Sequence, residues 1–192
     1  MLTLNIDTKA AQDRIDELAQ SSQTALADSL NELAKDTLKN MRVAMAQEIN
    51  LAPDYIRRHT RISRKATARN PRVALEARSR ASLLNRYVTR WEQQPAKKGG
   101  MKGAGASVQV WRDTPPIHMR GAFKVLLKNG AQGLALNAKN PALPAHKKAK
   151  IGNKGYAVLH GPSVNDAFER VKPEHTPTQD ELIDRFMAQL GL

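Results

Sequence analysis

Apolar side chains recur at Ile15, Leu18, Ala25, Leu26, Leu30, Leu33, Leu38, Met41, Met45 and Ile49, mostly three and four residues apart, with no Gly or Pro between them. That rhythm predicts helix over residues 8–49, with one apolar stripe that needs a sheet or another subunit to cover it. Asp7 and Thr8 suit the N-cap, and Asp13, Asp16 and Glu17 sit near the positive end of the helix dipole. Ser21-Ser22 is the expected place for a break into a short and a long helix. Pro53 then closes the region and fits the first turn of a short second helix, about 53–59.

Beyond it the period falls to two. Val73, Leu75 and Ala77 share a face of a strand at 72–77, and 82–91 is a weaker strand candidate. Residues 94–106, rich in Gly and Lys, read as an extended loop with little to pack. Strands resume at 107–111, 122–127 and 133–136, the last two joined near Asn129-Gly130, a hairpin dipeptide whose two positions favour positive φ. A second extended loop is expected over 140–155, and a short strand at 156–159. Ser163 can cap a helix from Val164, with Asp166 in its first turn. Thr178 and Glu181 form a capping-box pattern that opens a helix to about Leu190, giving C-terminal helices over 163–190. Helix, then strands, then helices argues for an α+β fold, a long N-terminal amphipathic helix on an antiparallel sheet, in one domain over residues 1–192.

Composition adds mainly charge. The chain of 192 residues has 31 Lys and Arg against 18 Asp and Glu, a net charge of +13. The excess is concentrated: residues 1–56 hold five basic and nine acidic side chains, 57–102 hold fourteen and two, and 103–192 hold twelve and seven. Such asymmetry calls for a partner of opposite sign. No run approaches the roughly 18 apolar residues of a membrane helix. The amino terminus lacks the charged-then-apolar pattern of a signal peptide, so assembly in a cytoplasm is expected. With no cysteine, disulfides and thiol chemistry are excluded.

Catalytic patterns are missing from the sequence. His59, His118, His146, His160 and His175 are scattered, none at the spacing of a helical metal pair. The glycines from Gly99 to Gly105 are not followed by Gly-Lys-Ser/Thr, no Gly-x-Ser-x-Gly elbow occurs, and Asp180 and Glu181 are explained by their helix start. The expectation is a protein that is not an enzyme and needs no cofactor or metal.

The basic segment carries more. It holds Arg57, Arg58, Arg61, Arg64, Lys65, Arg69 and Arg72, then Arg78, Arg80, Arg86 and Arg90, then Lys97, Lys98 and Lys102. Guanidinium forks bind phosphate or carboxylate bidentately. Spread through strands and loops, these charges make a broad face rather than a base-reading helix, and Tyr55, Tyr87, Trp91 and Trp111 are few for stacking. Contact with nucleic-acid backbone, ion pairs with carboxylates of a partner or of neighbouring copies, and a solvated face all remain open. The candidate contact set is Arg57, Arg58, Arg61, Arg64, Lys65, Arg69, Arg72, Lys97, Lys98 and Lys102, with Lys128, Asn129 and Gly130 as a candidate interface or lumen loop.

Several stretches, in order, resemble the minor tail protein Z family of lambdoid phages and prophages. The long helix leads to Arg61-Ile-Ser-Arg-Lys-Ala-Thr-Ala-Arg-Asn-Pro71, similar to that family's basic Ala-Thr-x-x-Asn-Pro passage. Arg120-Gly-Ala-Phe123 and Lys128-Asn-Gly130 follow at similar spacing, and Leu159-His-Gly-Pro-Ser163 with Phe168 resembles the ending of the wider tail-completion group. The resemblance spans about residues 5–190, leaving 94–106 and the carboxy-terminal tail unmatched. It implies a structural virion protein that completes the head-proximal end of a phage tail, assembled in the host bacterial cytoplasm. It also implies a homo-oligomeric, sixfold (hexameric) ring with no catalytic site. The implied neighbours are the tail terminator, neck or head–tail connector proteins, the tape-measure protein and phage DNA, with no membrane.

Other readings stay open beside it. Within the phage class, the chain can be a head–tail connector or terminator. Outside it stands a free-standing, sequence-nonspecific nucleic-acid-binding protein, which requires steeply salt-dependent binding by the monomer. A nuclease or toxin using His59 or His160 would need a metal or His–acid constellation that the sequence does not display.

Overall fold

The computed structural model describes residues 8–95, 101–141, 143 and 155–191. The fold is α+β: a long N-terminal helix, antiparallel sheets and C-terminal helices. Helix α1 (Thr8–Glu48) runs for 41 residues, about 60 Å at the usual rise. The expected break at Ser21-Ser22 does not occur. Nearby hydroxyls are absorbed along the helix, Thr24 Oγ1 donating to the Gln20 carbonyl at 3.0 Å and Ser29 Oγ to the Ala25 carbonyl at 2.8 Å. Helix α2 (Pro53–Arg58) begins on its proline, as the sequence implies.

By its internal contacts the chain divides into two compact units. The first comprises residues 1–41, 61–76 and 173–192; the second comprises 42–60 and 77–172.

In the first unit, α1 buries Ala27, Leu33, Ala34, Leu38 and Met41. Strands β1 (Thr60–Arg64) and β2 (Ala74–Ala77) pair as a two-stranded sheet. Asn31 on α1 holds the connection between them. Its Nδ2 donates to the Ala66 carbonyl at 3.0 Å, and its Oδ1 accepts from the Ala66 N–H at 2.9 Å. At the tip, Thr67 and Asn70 exchange backbone hydrogen bonds at 3.0 and 2.9 Å, turning the chain through Ala68-Arg69. The last helix of the chain, Gln179–Leu190, opens on the expected Thr178–Glu181 capping box and ends on Gly191 at φ 75°. None of its residues is buried. Arg185 reaches Asp36 of α1 at 2.8 Å, and Gln189 donates to Glu32 at 3.3 Å.

The second unit carries the larger core. Its short strand β3 (Ser82–Leu83) pairs with β10 (His160–Gly161). Strand β4 (Val88–Pro95) pairs with β5 (Met101–Val108), and β5 with β6 (Ile117–Arg120). A second three-stranded sheet joins β7 (Phe123–Leu126), β8 (Gln132–Asn137) and β9 (Tyr156–Val158). Helix α3 (Val164–His175) lays Val164, Ala167, Phe168 and Val171 into the core. Ser163 caps it as expected: its Oγ accepts from the Asp166 N–H at 3.1 Å, while its own N–H donates to the Asp166 carboxylate at 2.7 Å. Tyr87, wholly buried, donates its hydroxyl to the Pro162 carbonyl at 2.8 Å and lies against Gly161, where a Cβ would come within 2.8 Å of the ring.

Three expectations need correction. The stretch 94–106 is not an extended loop: β4 runs into it to Pro95 and β5 occupies Met101–Val108, with only 96–100 outside the described residues. Gly105 serves the strand. Gly105 has φ 141° at an irregular register, and a Cβ there would sit 2.3 Å from the Met119 carbonyl oxygen of β6. The Asn129-Gly130 turn is in the right place but of another kind. Only Gly130 has positive φ, the Gly130 N–H donates to the Leu127 carbonyl at 2.9 Å, and the Leu127 N–H donates to the Ala131 carbonyl at 2.9 Å. This is a three-residue loop closed by a glycine bulge rather than a two-residue turn. Strands β1, β6 and β10 have no counterpart among the expected strands. The second expected loop, 140–155, lies largely outside the described residues.

Candidate nucleic-acid interface

The ten basic candidates fall into different surroundings. Arg61, Arg64, Lys65, Arg69 and Arg72 belong to the first unit, on and between β1 and β2, and all are exposed. Arg61 is paired across the strands, its Nε and Nη2 meeting one carboxylate oxygen of Glu76 at 3.1 and 3.0 Å. The side chains of Arg64, Lys65, Arg69 and Arg72 have no hydrogen-bond or ionic partner among the described residues. Arg57 and Arg58 belong to the second unit, at the end of α2. Arg57 meets Asp54 at 3.2 Å, while Arg58 Nε donates to the Asp54 backbone carbonyl at 3.2 Å. Lys97 and Lys98 lie outside the described residues, and Lys102 is placed on β5 by its backbone alone. Lys128, Asn129 and Gly130 form the exposed tip of the β7–β8 hairpin.

Two other arginines are structural. Arg42 on α1 donates from Nε to Thr60 Oγ1 at 2.8 Å and from Nη2 to the Thr60 carbonyl at 2.7 Å and the Arg57 carbonyl at 3.3 Å. Partial burial, then the neighbouring Arg57, lowers its pKa. Arg170 on α3 meets Glu48 at 2.9 Å and Asp113 at 2.5 Å and lies over the Trp111 ring at 4.8 Å. The Asp113 hydrogen bond is the main cause of its raised pKa.

The second unit also gathers Arg58 of the contact set with three arginines outside it, Arg78, Arg80 and Arg86. A groove of about 310 Å³ is lined by Arg58, Arg78, Arg80 and Arg86, by His59 and His160, and by Asn129 of the hairpin tip. No Asp or Glu lines it. Its wall is ordered in a chain of contacts. Arg86 lies 4.0 Å over the Tyr55 ring, and the Tyr55 and His59 rings stand 4.1 Å apart. His59 Nδ1 is 2.8 Å from the Tyr55 carbonyl and its Nε2 is 2.6 Å from Arg78 Nη1. With a carbonyl on one side and a guanidinium on the other, the ring carries its proton on Nδ1 and accepts from Arg78 through Nε2. The legible signal is the run of arginines from 57 to 86; what the sequence does not show is that α2, the β2–β3 connection and the turn at Leu84–Tyr87 bring four of them to one groove.

Among the described residues no group of three or more His, Asp or Glu side chains is placed to hold a metal ion, and no helix is long and apolar enough to cross a membrane. Comparison with protein-family models, with curated proteins and with solved structures finds no match to this chain.

Proposed function

We propose that this chain is a non-enzymatic structural subunit that completes the head-proximal end of a phage tail, and that it works as a ring with copies of itself. The observation that carries the assembly role is the apolar surface left on two edge strands. Ile117 on β6 is 70% exposed and Leu126 on β7 is 71% exposed, and each strand ends its sheet. Edge strands that display large apolar side chains invite pairing or packing with another chain, and heterologous contacts of that kind close into rings when the rotation permits. The ordered likeness of residues 61–71, 120–130 and 159–168 to the minor tail protein Z family supports the head-proximal end of the tail as the place of that assembly. Tail terminator, head–tail connector, tape-measure protein and DNA are the neighbours such a position implies, and a connector or terminator role is the alternative within the class.

The experiment is imaging of purified phage tails carrying a tagged copy, with light scattering on the free protein. Label at the head-proximal tip supports the reading; label absent from particles overturns it. Changing Arg64, Arg69 and Arg72 together to Glu is expected to impair tail maturation while leaving the subunit folded. Arg61 is spared, because its Glu76 partner would then face a like charge. The second reading, a free-standing nucleic-acid-binding protein, is favoured by the carboxylate-free groove, and it predicts tight binding by the monomer without any particle association.

A further inference from the structure

We infer that the arginine groove of the second unit is a binding site for the phosphate backbone of a nucleic-acid strand. Arg58, Arg78, Arg80 and Arg86 all face one volume of about 310 Å³ with no carboxylate in its lining. Four like charges brought together without an internal counterion raise the free energy of the empty groove, and an anion from outside relieves it.

Three features select the class of anion. First, the cations are pre-positioned: Arg86 rests on the Tyr55 ring, Arg78 on His59 Nε2, and Arg58 on the Asp54 carbonyl. Fixed forks suit charges fixed at regular spacing along a backbone. Carboxylates at the ends of mobile side chains would lose their own rotamer freedom to fit. Second, the cations are all arginines, whose forks match phosphate oxygens. Third, the groove offers no phenol or indole face to a base, because Tyr55 is buried, with Arg86 over its ring and His59 beside it, and the imidazoles of His59 and His160 are the rings left in its lining. Contact therefore falls on phosphate and sugar without sequence readout. Asn129, at the tip of the β7–β8 hairpin, adds a neutral amide donor at the rim. The site belongs to the isolated chain and does not depend on the tail role, so the two fail separately.

The test is fluorescence anisotropy with the full chain and a short labelled DNA duplex, over a series of salt concentrations. Arg58→Glu with Arg80→Glu is expected to weaken binding by about tenfold or more and to reduce the salt slope by about two, one per removed contact. The control, Arg64→Glu with Arg69→Glu, changes net charge equally but lies at the end of β1 and on the β1–β2 turn of the first unit. A smaller loss from the control supports the groove; an equal or larger loss means diffuse attraction and overturns it. Circular dichroism checks folding, and if the Glu pair unfolds, Arg58→Gln with Arg80→Gln replaces it with the same expected order. Polyglutamate and pyrophosphate serve as competitors. Displacement of the duplex by polyglutamate at lower charge concentration than by unlabelled DNA identifies an acidic protein as the ligand and overturns the assignment. Binding of pyrophosphate with none of DNA does the same.

Discussion

Among the described residues, the large side chains wholly removed from solvent are unevenly shared between the two units. Tyr87, Met45, Ile49, Leu51, Ile56, Leu134, Leu136, Leu143 and Val164 belong to the second, with Ser82, while the first contributes Met41 and a serine, Ser29. The same two helix devices, a side-chain cap and an amphipathic stripe, appear in both. In the second unit α3 buries four apolar residues behind its cap; in the first, the helix at Gln179–Leu190 buries none and leaves Ile183 and Met187 exposed. Local helix signals are thus equally good in both places, but only one is backed by a core. The difference teaches that good capping does not report stability, because in proteins most of a helix's stability comes from packing its apolar face.

The comparison can be broken most directly at leucine. Leu136→Ala, on the central strand β8, is expected to cost about 3 kcal/mol, in the range for a buried large-to-small change. Leu182→Ala in the last helix, only half-buried, is expected to cost less than about 1 kcal/mol. Urea unfolding of the two variants decides the matter, and equal losses would erase the distinction between the units. A second effect is confined to the better-packed unit. Burial pushes the Tyr87 phenol up to about 12 from its ordinary 10.0. Below the lower value the group is neutral in folded and unfolded chains alike, and its contribution is complete. As pH rises from 10.0 towards about 12 only the unfolded chain loses the proton, so stability falls across that window. Thermal melts of wild type and Tyr87→Phe over this window should show the descent in the first and a flatter course in the second. The smallest effect sharpens the argument about caps. Ser163→Ala is expected to cost about 1 kcal/mol and Thr178→Ala about half of that, since the first cap anchors a packed helix and the second an exposed one. Parallel denaturation curves check the order.

What could be read from the residues follows from how local each signal is. The helix starts at Ser163 and Thr178 rest on side chains that bond within three residues, and the one at Pro53 on a ring that presets φ, so the sequence contains the whole cause. The hairpin at Asn129-Gly130 was placed correctly for the same reason, although the φ of Asn129 is settled by the three-residue loop around it. Strand β5 was hidden because its Gly and Lys composition argues for a loop; its ladder with β4 and the close approach of Gly105 to β6 are tertiary facts. The two-sided bond from Asn31 to Ala66 joins residues 35 apart, and nothing in periodicity announces it. The groove was half legible. An arginine-rich run was evident, but not that Arg42 and Arg170 would be consumed inside the fold while Arg58, Arg78, Arg80 and Arg86 would converge.

That convergence of arginines, with no lysine among them, has a consequence for control. A guanidinium keeps its proton throughout the range in which proteins stay folded, and it has no amine for an acetyl group to neutralise. The four fixed charges of the groove therefore cannot be turned off by mild alkali or by lysine modification. A bound polyanion would leave by exchange with another polyanion or by rising ionic strength, which makes occupancy a matter of competition rather than of lysine acylation.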